Sequence, residues 1–218
     1  MPPIIISIEG NIGSGKSTLV AYLQEHYKGD SEVCFLQEPV NIWNSITDKE
    51  GNTIISKYYA DQEKYAFSFQ MMAYISRISL LKSALAKDYK VIVTERSVFT
   101  DANVFAKMLY DCGKLEEVNY KIYRQWFDEF INDLPKISLV YVKTTPNKCD
   151  QRVITRNREG EIIPIDYLEQ CHKYHEKWID TNNECLDILT LDGNQEITDS
   201  VKNHNIKQIK DFIALYIW

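Results

Sequence analysis

No apolar run in this chain of 218 residues approaches the ~20 residues that a membrane-spanning helix needs. An excess of positive charge is missing as well. The net charge is −6, which leaves a general nucleic-acid or membrane-surface binder without its basic face. The five cysteines (Cys34, Cys112, Cys149, Cys171 and Cys185) are odd in number and widely spaced. They form neither a disulfide framework nor a CxxC knuckle, so reduced thiols in a cytoplasmic setting are expected. The first strand-like run begins at Ile4, behind Met-Pro-Pro, and no signal or transit peptide is expected at that start. There is no internal repeat, low-complexity tract or linker. One domain spanning 1–218 is therefore expected, and 44% hydrophobic residues are enough to give it a full core.

What the chain does contain is an alternation. The runs 4–8, 33–36, 91–94, 137–142 and 188–191 are short, apolar and rich in β-branched residues, as strands buried in a parallel sheet are. Helical patterns lie between them. Leu19, Leu23 and Tyr27 recur within 16–27, and Tyr65, Phe69, Met72, Ile78, Leu81 and Leu85 within 61–87. Ile122, Trp126 and Phe130 share a face within 119–132. Pro146 suits a first helical turn after Thr145 as cap, in a helix running towards Arg158. Two more patterns cover 165–180 and 204–216. This order predicts an α/β fold of three layers: a five-stranded parallel sheet flanked by helices.

Residues 10–17, G-NIGS-GKS, satisfy G-x-x-x-x-G-K-[ST] in full, with a strand before and a helix after. Gly10, Gly13 and Gly15 would let the loop curl, so that main-chain N–H groups of Asn11, Ile12, Ser14 and their neighbours point at phosphate oxygens. The helix start at Ser17-Thr18 adds its positive dipole end. Lys16 would bridge the β- and γ-phosphates of a purine nucleoside triphosphate, and Ser17 would offer its hydroxyl to Mg²⁺.

Three further stretches bear on what receives the phosphate. Glu95, ending the 91–94 strand, is well placed to hold hydrated Mg²⁺, or to form a strand-end salt bridge. Glu38 leaves the 33–36 strand ahead of Pro39, at the edge where ligands of open α/β sheets collect. It suits a general base for an acceptor hydroxyl and equally a surface carboxylate. Arg152 and Arg156 share a helical face, and Arg158 follows before a Glu159-Gly160-Glu161 turn. They suit a lid of about 152–162 closing over transferring phosphates, or a solvated basic face paired with those glutamates. Phe69 and Phe105 on their own read as core aromatics. Cys171, His172 and His175 are too sparse for zinc.

These motifs resemble the deoxynucleoside kinase family, the group of deoxycytidine, deoxyguanosine and insect multisubstrate kinases. The likeness runs through IEGNIGSGKS, QEPVNIW, YAFSFQ, ERSVFTD, RVITRNR and IPIDYLEQCHKYHEKW. It implies a P-loop kinase fold, usually dimeric, that moves the γ-phosphoryl group of ATP to a deoxynucleoside 5′-hydroxyl. By the same resemblance Glu38 is the base and Arg96 its partner. Tyr59 and Glu161 hold the sugar 3′-hydroxyl, Gln70 reads the base edge, and Phe69 and Phe105 sandwich the base, with Trp43 lining the cleft. Arg152, Arg156 and Arg158 match the lid arginines, although RNREGEIIP is one residue shorter than the family's usual spacing. Ala73, Arg77 and Asp101 match the far edge of the base in the kinases for deoxycytidine, deoxyguanosine and deoxyadenosine. A buried Arg–Asp pair would penalise thymidine. Two rivals remain on the residues alone. One is a nucleoside monophosphate kinase of the same fold. The other is a nucleotide switch, for which the N/T-K-x-D segment of a GTPase is missing.

Overall fold

The computed structural model describes residues 2–158, 161–181 and 185–216. Five strands, β1 (Ile4–Glu9), β2 (Val33–Leu36), β3 (Val91–Glu95), β4 (Ile137–Lys143) and β5 (Ile188–Asp192), form one parallel sheet in the order β2-β3-β1-β4-β5. The five apolar runs each become a strand, at most one residue longer than the pattern predicts. Those in the middle are buried on both faces, whereas β2 and β5 are edge strands and only partly covered.

Helices cover both faces. On one side α1 (Lys16–His26) and α10 (Asp199–Ala214) pack Leu19, Val20, Leu23, Ile209 and Phe212 onto Ile6, Ile8 and Val140. On the other side lie α4 (Gln62–Leu85), α7 (Glu117–Ile131) and α9 (Ile165–Thr181), whose core includes Ile5, Ile92, Leu139, Tyr74 and Phe127. Successive β1 residues thus feed opposite cores, as the pleat requires. Two short helices, α2 (Val40–Ser45) and α3 (Ile54–Ala60), precede α4. Between β3 and α7, α5 (Val98–Thr100) runs into a π-helical stretch, Asp101–Ala106, and then α6 (Lys107–Asp111). Helix α8 (Pro146–Arg156) follows β4.

Several expectations are corrected here. Thr145 holds the cap position of α8 but does not cap it: its hydroxyl donates to Asn194 Oδ1 at 3.0 Å. That helix stops at Arg156 because Asn157 takes the left-handed conformation (φ 44°), which Asn tolerates and which ends helices. The last helix starts at Asp199, capped by Thr198. On α4 Ile78 and Leu81 are buried as the pattern predicts, but the stripe also runs through Ala66, Gln70, Ala73, Tyr74 and Arg77. Tyr65, Phe69, Met72 and Leu85 are only partly buried against the core. On α7 the buried pair is Tyr123 and Phe127, while Ile122 and Trp126 are 37% and 44% exposed. Of the Glu159-Gly160-Glu161 turn, Glu159 and Gly160 lie outside the described residues.

Register decides where the site forms. Ile8 pairs with Glu95, and Leu36 with Thr94. The loop after β1, the Glu95-Arg96 exit and Glu38 therefore emerge at the same sheet edge.

Candidate active site

The loop from Gly10 to Gly15 is built on close approaches. Gly13 has φ +77°, and a Cβ there would stand 2.5 Å from the main-chain oxygen of Cys149. Only glycine fits. The Asn11 side chain turns into the protein, its Nδ2 donating to Leu168 O at 2.8 Å and its Oδ1 accepting from Ile12 N. Lys16 is buried, with Nζ donating to Asn11 O at 2.7 Å. Burial foremost, then the nearby Arg96 charge, brings its pKa down to about 7. Ser17 Oγ donates to Glu95 Oε1 at 2.5 Å.

Glu38 meets two guanidinium groups at one oxygen. Its Oε1 accepts from Arg77 Nη2 at 2.8 Å and lies 2.9 Å from Arg96 Nε. Burial alone would raise its pKa, but the charges of Arg77, Arg96 and Lys16 outweigh it and hold the carboxyl at about 2. Arg77 also donates from Nε to Asp101 Oδ2 at 2.9 Å and from Nη1 to Glu95 O at 3.1 Å. Asp101 is so deeply buried that its pKa rises to about 6 in spite of that partner. Arg96 donates from Nη1 to Gly10 O at 2.8 Å and carries a positive φ of 62°. A strained non-glycine backbone of this kind persists only where the surroundings over-determine it. Glu9 supplies that determination: its fully buried carboxylate accepts from Ser97 N at 2.8 Å, Ser7 Oγ at 2.7 Å and the Thr100 hydroxyl.

A cleft of about 670 Å³ opens beside these groups. Its aromatic side holds Trp43, Tyr58, Tyr59, Phe69, Phe105 and Tyr167. Phe69 stacks on Tyr58, with centroids 4.5 Å apart, and meets Trp43 edge-on at 5.7 Å. The Phe105 ring lies 4.9 Å from the Arg96 guanidinium carbon. Gln70 and Ala73 line the cleft from α4, and Gln70 Oε1 is buried without a hydrogen-bond partner among the described residues. Burial pushes the Tyr59 hydroxyl well above its ordinary pKa, and the Glu161 charge adds to this.

The basic residues of α8 reach the same space. Arg152 donates to Ser14 O at 3.1 Å and to Gln195 O at 3.2 Å. Arg156 Nη2 pairs with Glu161 Oε2 at 2.5 Å. Arg158 lines the cleft beyond the helix end. Every candidate site residue named from the sequence borders this cleft except Gly10, Asn11 and Ser14, and Ser14 lines an adjoining recess with Tyr22, Asp192 and Lys202. Sequence reasoning missed Glu9, Tyr58 and Tyr167. A charge closing an otherwise apolar strand, next to the glycine loop, was the available signal for Glu9. The two tyrosines, whose hydroxyls lie 2.8 Å apart, gave none.

A loop fit for phosphates, a carboxylate held between arginines and an aromatic cleft thus share one sheet edge, and residues 6–214 match the deoxynucleoside kinase family. The chain belongs to that family. Its relatives include the probable deoxycytidine kinase of fowlpox virus (strain NVSL), 36% identical across 97% of this chain and 89% of the relative. Deoxycytidine kinase 1 of Xenopus laevis is 34% identical across 96% and 90%, and deoxycytidine kinase of Homo sapiens is 33% identical over the same shares. As a deoxynucleoside kinase, the chain passes a phosphoryl group from a nucleotide donor to a deoxynucleoside. No helix among the described residues is long and apolar enough to cross a membrane.

Proposed function

We propose that the γ-phosphoryl group of ATP, or another nucleoside triphosphate, passes in line to the 5′-hydroxyl of deoxycytidine, deoxyadenosine or deoxyguanosine. The carrying observation is Glu38: a carboxylate at the cleft edge, held ionised by two arginines and set close to the buried lysine of the phosphate loop. The 5′-hydroxyl would donate to this carboxylate. As the new O–P bond forms and the β–γ bridge breaks, its proton would pass to Glu38. A base with so low a pKa acts first by orienting the alcohol, which suits a loose transition state with late proton transfer.

The other roles follow from position. Main-chain N–H groups of residues 10–18 and Lys16 bind the donor phosphates. Arg96, Arg152, Arg156 and Arg158 offset charge on the transferring oxygens. Ser17 and Glu95 are hard oxygen donors side by side, a pair that fits Mg²⁺. Bound there, the ion would neutralise charge between the β- and γ-phosphates. The Gln70 amide, whose Oε1 has no partner among the described residues, would read the base edge between Phe69 and Phe105, and Arg77 with Asp101 would face its far side. Tyr59 and Glu161 would take the 3′-hydroxyl.

We further infer one kinase domain over 1–218 with a lid near 152–162, a cytoplasmic location and no nucleic-acid partner, in keeping with the acidic composition. A homodimer is supported by the exposed apolar side chains Val118, Ile122 and Trp126 of α7 and Ile75 of α4, two helices that pack against each other.

A coupled assay with ATP offers deoxyadenosine, deoxycytidine, deoxyguanosine, thymidine and their 5′-monophosphates. Turnover of the first three, with thymidine poor and monophosphates inert, is expected. Turnover of monophosphates alone would reassign the acceptor.

A further inference from the structure

The base-reading side of the cleft and the phosphate loop are joined by one run of charge-assisted bonds. It passes from Asp101 Oδ2 to Arg77 Nε (2.9 Å) and from Arg77 Nη2 to Glu38 Oε1 (2.8 Å). From there it continues to Arg96 Nε (2.9 Å), and Arg96 Nη1 meets Gly10 O (2.8 Å). We propose that Arg77 is a positioning residue for Glu38, so that how the base is engaged is felt at phosphoryl transfer, in kcat, and not in binding alone. This rests on the nucleoside reading of the cleft given above.

The geometry favours a link over a separate base contact. Arg77 is buried and uses its fork on three acceptors from three elements: Asp101 on the π-helical stretch, Glu38 after β2 and Glu95 O on β3. A planar guanidinium holds such partners at fixed angles, which a lysine ammonium does not. A displacement at Asp101 therefore reaches Glu38 with little slack. Both arginines that grip Glu38 also lie against rings of the cleft, Arg77 5.4 Å from Trp43 and Arg96 4.9 Å from Phe105. A ligand wedged among those rings bears on both grips.

The charges around Glu38 can be named. Arg77 comes from α4, Arg96 from the β3 exit and Lys16 from α1, and all three favour the carboxylate. Asp101 is the anion beyond Arg77. Glu9 acts on Arg77, and Glu95 on Lys16. Removing Arg77 thus deletes the largest charge stabilising the ionised form and leaves the burial that opposes it.

The test measures kcat and KM for deoxycytidine at saturating ATP, from pH 5 to 9, in the wild type, Arg77→Met, Arg77→Lys and Asp101→Asn. The wild type should show no acid limb from Glu38 in that range. Arg77→Met should lose about 10- to 100-fold in kcat and gain an acid limb, rate rising with pH as Glu38 ionises. Arg77→Lys keeps the charge without the fork and should lose several-fold in kcat with a weaker limb. It also carries the test if Arg77→Met does not fold. Asp101→Asn weakens the chain at its base end but leaves Arg77 on Glu38, so it should raise KM, lower kcat by several-fold as well, and gain no limb. Arginine variants that raise KM while keeping kcat and a level profile would overturn the proposal and leave Arg77 a base contact. A wild type that phosphorylates no nucleoside would instead overturn the cleft reading itself.

Discussion

Lys16 Nζ donates to the main-chain oxygen of Asn11 at 2.7 Å, so the loop's own backbone takes the place of an anion for a buried amine. Its pKa of about 7 makes the amine roughly half neutral in the free protein at neutral pH. A triphosphate favours the charged form. Nucleotide binding should therefore take up protons, and affinity should weaken as pH rises above about 7. Calorimetry in buffers of different ionisation enthalpy reads the uptake, which should approach one proton near pH 8 to 9. The stability effect has the opposite slope. The unfolded chain binds this proton up to its ordinary pKa of 10.5, so the nucleotide-free protein gains stability from this group between pH 7 and about 10.

Gln70 should separate function from folding. Its Oε1 has no partner among the described residues, so Gln70→Leu removes an uncompensated desolvation and should leave Tm unchanged or raise it. The same change should lower kcat/KM for deoxycytidine by about 10- to 1,000-fold, because a base edge then loses its paired hydrogen bonds. Thermal melts beside steady-state kinetics check both. A large loss of Tm with unchanged kinetics would make Gln70 structural.

Gly13→Ala should disable the phosphate loop. The new Cβ meets the Cys149 carbonyl at 2.5 Å at a φ of +77°, so either α8 moves away or the loop uncurls. ATP affinity should fall by at least about 10-fold, with a Tm loss of several degrees for a ΔΔG of about 1–2 kcal/mol. Equilibrium ATP binding and calorimetric melts report on the two effects.

How far the sequence carried these conclusions depends on the kind of signal. The phosphate loop was legible because its chemistry needs glycines at fixed spacing, and all five strands were legible as short, mostly apolar runs rich in β-branched residues. Helices α2 and α3 have six and seven residues, too few to show a period. The face of α4 was legible only in part, since Ile78 and Leu81 are buried but the same stripe includes Gln70 and Arg77, and on α7 Ile122 and Trp126 stay partly exposed. Most of the cleft residues were named in advance, through a resemblance more than through spacing. The bond from Arg77 to Glu38 was not legible, since it joins positions 39 residues apart that only the packing of α4 on the sheet brings together. Glu9, which fixes the strained Arg96 turn from beneath, needed the register of β1 on β3.

The account depends most on Glu38 facing the acceptor alcohol, and one variant tests that directly. Glu38→Gln keeps the shape of the side chain but cannot take a proton, and it leaves Arg77 and Arg96 without their shared carboxylate. Single-turnover transfer from ATP to deoxycytidine should slow by about 100- to 10,000-fold, while deoxycytidine binding, measured separately, stays within reach of the assay. Near-normal turnover in Glu38→Gln would contradict the assignment.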